Sequence, residues 1–234
     1  MPPVALSSIR ILYEDNHLII VNKKAGEIVQ ADKTGDAPLS HFIKQYLKEK
    51  YNKPGEVFLG TVHRIDRPVS GIVIFARTSK ALERMNEMLR EKAITKTYWA
   101  VVKNKPLKEN DQLTAYLKKN ESQNKSYVSK SAVQGALLSE LSYQLLASSD
   151  KYFLLEINLS TGRHHQIRAM LANIGCPIKG DLKYGFDRSN KDGSIHLHAR
   201  SVKFIHPVSK TEIQIICPPP DEALWNYFKK MPDV

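Results

Sequence analysis

The chain is short of cysteine, of long apolar runs and of acidic side chains, and each shortage closes off a class of protein. Its two cysteines, Cys176 and Cys217, form neither a Cys-x-x-Cys pair nor a disulfide framework, so a reducing compartment is expected and both thiols read as small buried hydrophobes. No apolar run approaches the ~20 residues needed to span a bilayer. Met1 to Ser8 also lack the charged flank and apolar centre of a signal peptide. A soluble, cytoplasmic protein with no membrane partner is expected. There is no glycine-rich phosphate loop and no Asp-Phe-Gly, and His63-Arg64-Ile65-Asp66 departs from the His-Arg-Asp of kinases, which sets that enzyme class aside. Linker-like segments, internal repeats and low-complexity tracts are missing too, so the whole chain, 1–234, is expected to form a single domain.

What is present is an ordinary globular composition, 42% apolar and 8% aromatic, ample for a packed core. Lys and Arg outnumber Asp and Glu by 35 to 24, a formal net charge of +11. Such a surplus favours a polyanionic partner without requiring one.

Hydrophobic spacing gives a coarse map. Leu18 to Asn22 is an apolar run after the turn formers Glu14-Asp15-Asn16 and reads as a buried strand. Ser40 to Tyr51 carries Phe42, Ile43, Tyr46 and Leu47 at helical spacing and stops before Pro54-Gly55. Ile72 to Ala76 is too short and too β-branched for a helix and reads as a central strand. Ser79 is expected to cap a helix bearing Leu82, Met85, Met88 and Leu89 on one face, with Glu83 near its positive end. Strands follow at Tyr98 to Val102, Ser126 to Val133, Leu141 to Ala147 and Tyr152 to Leu159. The turn Ser160-Thr161-Gly162 leads to a helix over His164 to Ile174, ended by Gly175. Two closing strands, Ile195 to Ile205 and Glu212 to Cys217, precede Pro218-Pro219-Pro220 and a short last helix. Lys103 to Asp111 and Asp187 to Gly193 read as long polar loops. The expected class is α+β: a mixed, mostly antiparallel central sheet with flanking helices.

Three short stretches could carry chemistry. His63-Arg64-Ile65-Asp66-Arg67-Pro68-Val69-Ser70-Gly71 sets one acid among basic or titratable neighbours just before the Ile72 strand, where a turn through Pro68 and Gly71 can hold the carboxylate at a sheet mouth. That acid reads as a nucleophile. Thr161-Gly162-Arg163-His164-His165-Gln166-Ile167-Arg168 enters a helix with two arginines; Arg163 suits a phosphate, and Arg168, one turn in, suits a carboxylate from another strand. Lys96-Thr97-Tyr98-Trp99 opens a strand, where Tyr98 can offer its ring to a base and its hydroxyl to a proton transfer, or simply pack at the core edge. Lys96 taken alone reads as an exposed lysine, and Asn22 and Lys23 as a solvated strand end.

Taken together these stretches make the chain resemble the RluA-type pseudouridine synthases. The likeness also includes Ile11-Leu12-Tyr13-Glu14-Asp15-Asn16-His17, Gly180-Asp181-Leu182-Lys183-Tyr184-Gly185 and Leu197-His198-Ala199. It implies the pseudouridine synthase fold and isomerisation of specific uridines in ribosomal or transfer RNA. By position, Asp66 matches the family's catalytic aspartate, Tyr98 its active-site tyrosine, Arg168 the arginine paired with that aspartate, and Arg64 the arginine near the flipped nucleotide. On that resemblance the chain is expected to be the catalytic domain only, without the S4-like RNA-binding domain of many relatives, and to act on a compact substrate.

The residue types suit that reaction. The bond from ribose C1′ to the uracil nitrogen must break and re-form at C5, and a carboxylate suits an oxocarbenium-like sugar centre as in glycosidases. Neither metal nor organic cofactor is required, and no obligate protein partner is expected. Extruding the uridine costs about a few kcal/mol, which Arg64, Arg67, Arg163 and Lys183 can offset through flanking phosphates. Two alternatives stand beside this reading. A non-catalytic RNA-binding protein on the same scaffold would explain the charge. A metal enzyme would use His196 and His198 with His164 or His165, although a His-x-His on a strand shares a face for structural reasons as well.

Overall fold

The computed structural model describes residues 9–32, 34–129 and 131–231. It divides into two compact units, one holding the chain up to Ile94 together with Ala199–Pro218, the other Thr95–His198 and the residues from Pro219 on. The class is α+β with mostly antiparallel sheet and few helices, as the sequence implied.

In the first unit, β1 (Ile11–Glu14) pairs with β2 (Leu18–Lys23), and β2 pairs with β4 (Ser70–Ala76), both antiparallel. The short β3 (Gly60–Thr61) pairs with the end of β4. Every residue of β4 is buried, which is why its sequence is continuously apolar instead of alternating. Helix α1 (Leu39–Lys50) buries Leu39, Phe42, Ile43 and Leu47 and places Lys48 and Lys50 in its last turn, where cations complement the helix dipole. Helix α2 (Ser79–Arg90) buries Ala81 and Met85. Its cap is Thr78, one residue before the expected Ser79: Thr78 is the last extended residue, and its hydroxyl accepts from the Ala81 N–H at 3.2 Å. Strand β10 (Leu197–Ile205) continues here and pairs antiparallel with β11 (Glu212–Ile216).

In the second unit, β5 (Thr95–Val102), β9 (Phe153–Leu159), β8 (Leu137–Ser148), β6 (Asn110–Asn120) and β7 (Lys125–Ser129) lie side by side in that order, with antiparallel pairing throughout. Trp99 and Val101 on one face of β5 pack with Leu154 against Trp225 and Phe228 of the last helix, α4 (Ala223–Lys229). Helix α3 (Gln166–Asn173) follows the 160–165 turn, and a single 3-10 turn spans Leu182–Tyr184.

Three strands escaped the hydrophobic spacing. β1 is only half-buried and β3 is two residues long. β6 buries a single residue, Leu117, so its polar composition resembles a loop although backbone pairing on both sides holds it extended. The strand expected over Ser126 to Val133 ends at Ser129; position 130 lies outside the described residues. Among the described residues no helix is long and apolar enough to cross a membrane, and both cysteines are buried thiols outside any disulfide.

Candidate active site

The acid-bearing motif lies in the first unit, on the loop entering β4. Asp66 is half-buried, and its carbonyl accepts the Val69 N–H at 3.0 Å, closing a turn through Arg67 and Pro68. That turn is latched to the loop after β2: the Gly26 N–H donates to the Arg67 carbonyl at 2.8 Å, and Arg67 Nε donates back to the Gly26 carbonyl at 3.0 Å. The remaining Arg67 nitrogens reach Thr34 Oγ1 and the Asp36 carboxylate. Arg67 is therefore a fixed cation, pinned by the loop after β2, whereas Arg64 is exposed. Gly71 closes the motif at φ 112°, and a Cβ there would stand 2.3 Å from the Ala199 carbonyl oxygen, so no other residue enters β4 this way.

Lys23 corrects the expectation of a solvated strand end. It is fully buried, and its Nζ donates to the carbonyls of Lys24, Glu27 and Arg67 at 2.9, 2.8 and 3.1 Å. Burial lowers its pKa to about 7, against the opposing pull of Glu27 and Asp66 and with help from Arg67. An apolar strand ending in Asn-Lys gives no hint of this in sequence, because the acceptors are main-chain atoms from separate loops.

The second unit carries Tyr98, Arg168 and the arginine-bearing turn. Tyr98 is buried in β5, opposite Ile157 of β9. Arg168 is buried in α3 and bonds Asp181 side-on, Nε to one carboxylate oxygen at 2.7 Å and Nη2 to the other at 2.8 Å. Two parallel charge-assisted bonds fix the guanidinium plane. Its carbon also lies 5.1 Å from the centre of the Tyr184 ring. The Tyr184 hydroxyl accepts from the Ser126 N–H at 2.8 Å and meets His165 Nδ1 at 3.0 Å. Which of the two donates depends on the tautomer of His165. Burial, then the charges of Arg168, His164 and Lys183, push the His165 pKa down to about 2, which keeps the ring neutral. Asp181 and Tyr184, from the Gly180-to-Gly185 stretch of the family likeness, are thus partners of Arg168.

The other basic candidates differ in freedom. Arg163 is exposed, its Nε donating to the Leu138 carbonyl at 3.3 Å. Lys183 Nζ donates to the carbonyls of Gln123 and Asn124, at 3.2 and 3.0 Å, in the β6–β7 turn. The histidines weighed as metal ligands are otherwise engaged. His196 lies between Asn190 Nδ2 and Glu222 Oε2, each at 3.0 Å, and stacks on Trp225; His164 meets Ser126 and Asn124. Among the described residues no group of three or more His, Cys, Asp or Glu side chains could hold a metal ion.

The RNA pseudouridylate synthase family model matches residues 17–173, a stretch that includes Asp66, Tyr98 and Arg168. The chain belongs to that family. It is 35% identical over 216 residues to a protein of Buchnera aphidicola named ribosomal large subunit pseudouridine synthase C, covering 89% of this chain and 67% of the relative. A relative of the same name from Escherichia coli is 33% identical over 229 residues, covering 94% of this chain and 69% of the relative. The chain thus spans about two thirds of the length of these relatives. In fold it is similar to human RNA pseudouridylate synthase domain containing 4 (TM-score 0.78, 22% identity, 94% of this chain and 91% of that one). It is likewise similar to human RNA pseudouridylate synthase domain containing 1 (TM-score 0.70, 19% identity, the full length of both).

Proposed function

We propose that this protein isomerises uridine to pseudouridine within large-subunit ribosomal RNA, with Asp66 as nucleophile and with both compact units contributing to one catalytic domain. The observation that carries the reading is Asp66 itself: an acid at the family's motif position, half-buried on a turn whose backbone is held by Val69, Gly26 and Lys23. Such immobilisation suits a group that must meet a reacting carbon in one geometry. The relatives' name supplies the substrate class.

In the reaction the uridine is extruded from its helix or loop, at about a few kcal/mol, and stacks on an aromatic face, the part we assign to Tyr98. The Asp66 carboxylate engages C1′ as the bond to the uracil nitrogen breaks, the uracil turns, and a new bond forms from C1′ to C5. The C5 proton leaves and the freed ring nitrogen ends protonated, so the product is an isomer of the substrate. Arg168, oriented by Asp181, supplies fixed positive charge to the reacting groups. Arg64 and Arg163 meet flanking phosphates, and Arg67 and Lys183 add positive field from fixed positions.

The test is Asp66→Asn, which deletes the charge and little volume. Incubated with protein-free large-subunit ribosomal RNA, wild type is expected to form pseudouridine at defined positions. The variant should form none while binding with nearly unchanged affinity. RNA binding without pseudouridine formation by wild type would refute the proposal and leave an RNA-binding protein on this scaffold.

A further inference from the structure

Lys96 is a further cation beside the arginine-bearing turn, and its surroundings differ from those of Lys23 and Lys183. On β5 it shares a face with Tyr98, opposite to Trp99 and Val101, which pack under α4. It is half-buried, not the exposed lysine its sequence context suggests, and its Nζ lies 3.8 Å from where a Cβ on Gly162 would stand. The turn it touches is rigid. Thr161 Oγ1 and the Arg163 N–H both donate to Gln166 Oε1, at 2.8 and 3.0 Å, and Gln166 Nε2 donates to the Glu140 carbonyl at 3.0 Å.

Burial lowers the pKa of Lys96, and no neighbouring acid opposes the shift. Lys23, buried further, is compensated by three carbonyls, whereas Lys96 Nζ has no hydrogen-bond or ion-pair partner among the described residues. An ammonium drawn partly out of water and left without an acceptor is unfavourable until an anion from outside completes it.

We propose that Lys96 Nζ, seated against Gly162 with Arg163 alongside, is the receptor for one backbone phosphodiester of the bound RNA. The inference rests on the RNA-modifying reading above and names a contact within it. Glycine at 162 keeps the approach open: nothing but the lysine tip lies within reach of its Cα substituent. A compact point charge suits a single phosphate oxygen, while the exposed Arg163 fork can take a second oxygen or the next linkage.

The test is the salt dependence of binding to a fluorescently labelled synthetic RNA stem-loop with a uridine-bearing loop, measured over a series of KCl concentrations. Lys96→Gln is expected to weaken binding about tenfold. It should also flatten the plot of log affinity against log salt by about 0.7–0.9, the increment for one phosphate. Lys96→Arg should retain the wild-type slope. One methylphosphonate linkage, found by placing the neutral group at each position in turn, should remove the same increment from wild type and nothing further from Lys96→Gln. A merely structural lysine would not change the slope. An unchanged slope in a Lys96→Gln protein with native circular dichroism overturns the proposal. So does an unchanged slope with lost turnover, which would assign Lys96 to the chemistry. Because binding is read separately from product, a wild type that forms no pseudouridine defeats the proposed function, whereas a wild type that reacts beside an unaltered Lys96→Gln slope defeats the phosphate contact alone.

Discussion

Replacing Lys23 by methionine tests whether a buried cation under the Asp66 turn is held at a cost that depends on pH. The side chain is fully buried with its Nζ on three carbonyls, and its pKa falls from 10.5 to about 7. A group whose folded pKa is depressed contributes stability that is fully present above its unfolded value and is lost as pH falls through the folded value. For Lys23 the window runs from about 10.5 down to about 7. At about 1.4 kcal/mol per unit, the full difference has an upper bound of roughly 5 kcal/mol. The three carbonyls work against it, since they match the three N–H groups of the ammonium and the neutral amine has two. Methionine fills similar volume but leaves the carbonyls without their donor, a penalty of about 1–3 kcal/mol that does not vary with pH. The Arg67 carbonyl keeps its Gly26 N–H, which limits the damage. Urea unfolding of both proteins near pH 6 and near pH 9.5 is the assay. Wild type should gain on Lys23→Met by about 2–4 kcal/mol between the two conditions. A difference that stays flat with pH would refute the reasoning and show that the carbonyls keep Lys23 charged throughout.

Asp181→Asn strips the charge from the partner of a buried arginine and should lower unfolding stability by about 3–5 kcal/mol; a loss under about 1 kcal/mol would mean that Arg168 finds equal compensation elsewhere. Gly71→Ala forces a positive φ on alanine and a Cβ 2.3 Å from the Ala199 backbone, so soluble expression and thermal midpoint should both fall sharply, and a midpoint near wild type would deny the close approach. Thr78→Ala removes the hydroxyl that caps α2 and should cost about 1 kcal/mol in urea unfolding, with Ser79→Ala nearly neutral; the reverse order would restore Ser79 as the cap.

Much of the molecule was legible from spacing because burial writes itself into side-chain type. The continuously apolar Ile72 to Ala76 could only be a strand buried on both faces, and α1 announced its buried face through Phe42, Ile43 and Leu47. Polar elements held mainly by main-chain pairing left no such mark, and β6 was lost for that reason. The Thr78 cap was missed by one residue, since both Thr78 and Ser79 carry a hydroxyl and only the backbone angles decide which one faces the helix.

By itself the sequence determined the α+β class, the order of most elements and the motifs that place the chain among RNA pseudouridylate synthases, because ordered, densely constrained residue types survive as a linear pattern. Tertiary structure alone decided what those residues touch: that Asp181 grips Arg168 while Tyr184 covers it, that Lys23 is buried on three carbonyls, and that Lys96 is drawn partly out of water with no hydrogen-bond or ion-pair partner among the described residues. Each of these depends on atoms brought together from positions distant in the chain or on main-chain carbonyls. Neither leaves a trace in residue type or spacing.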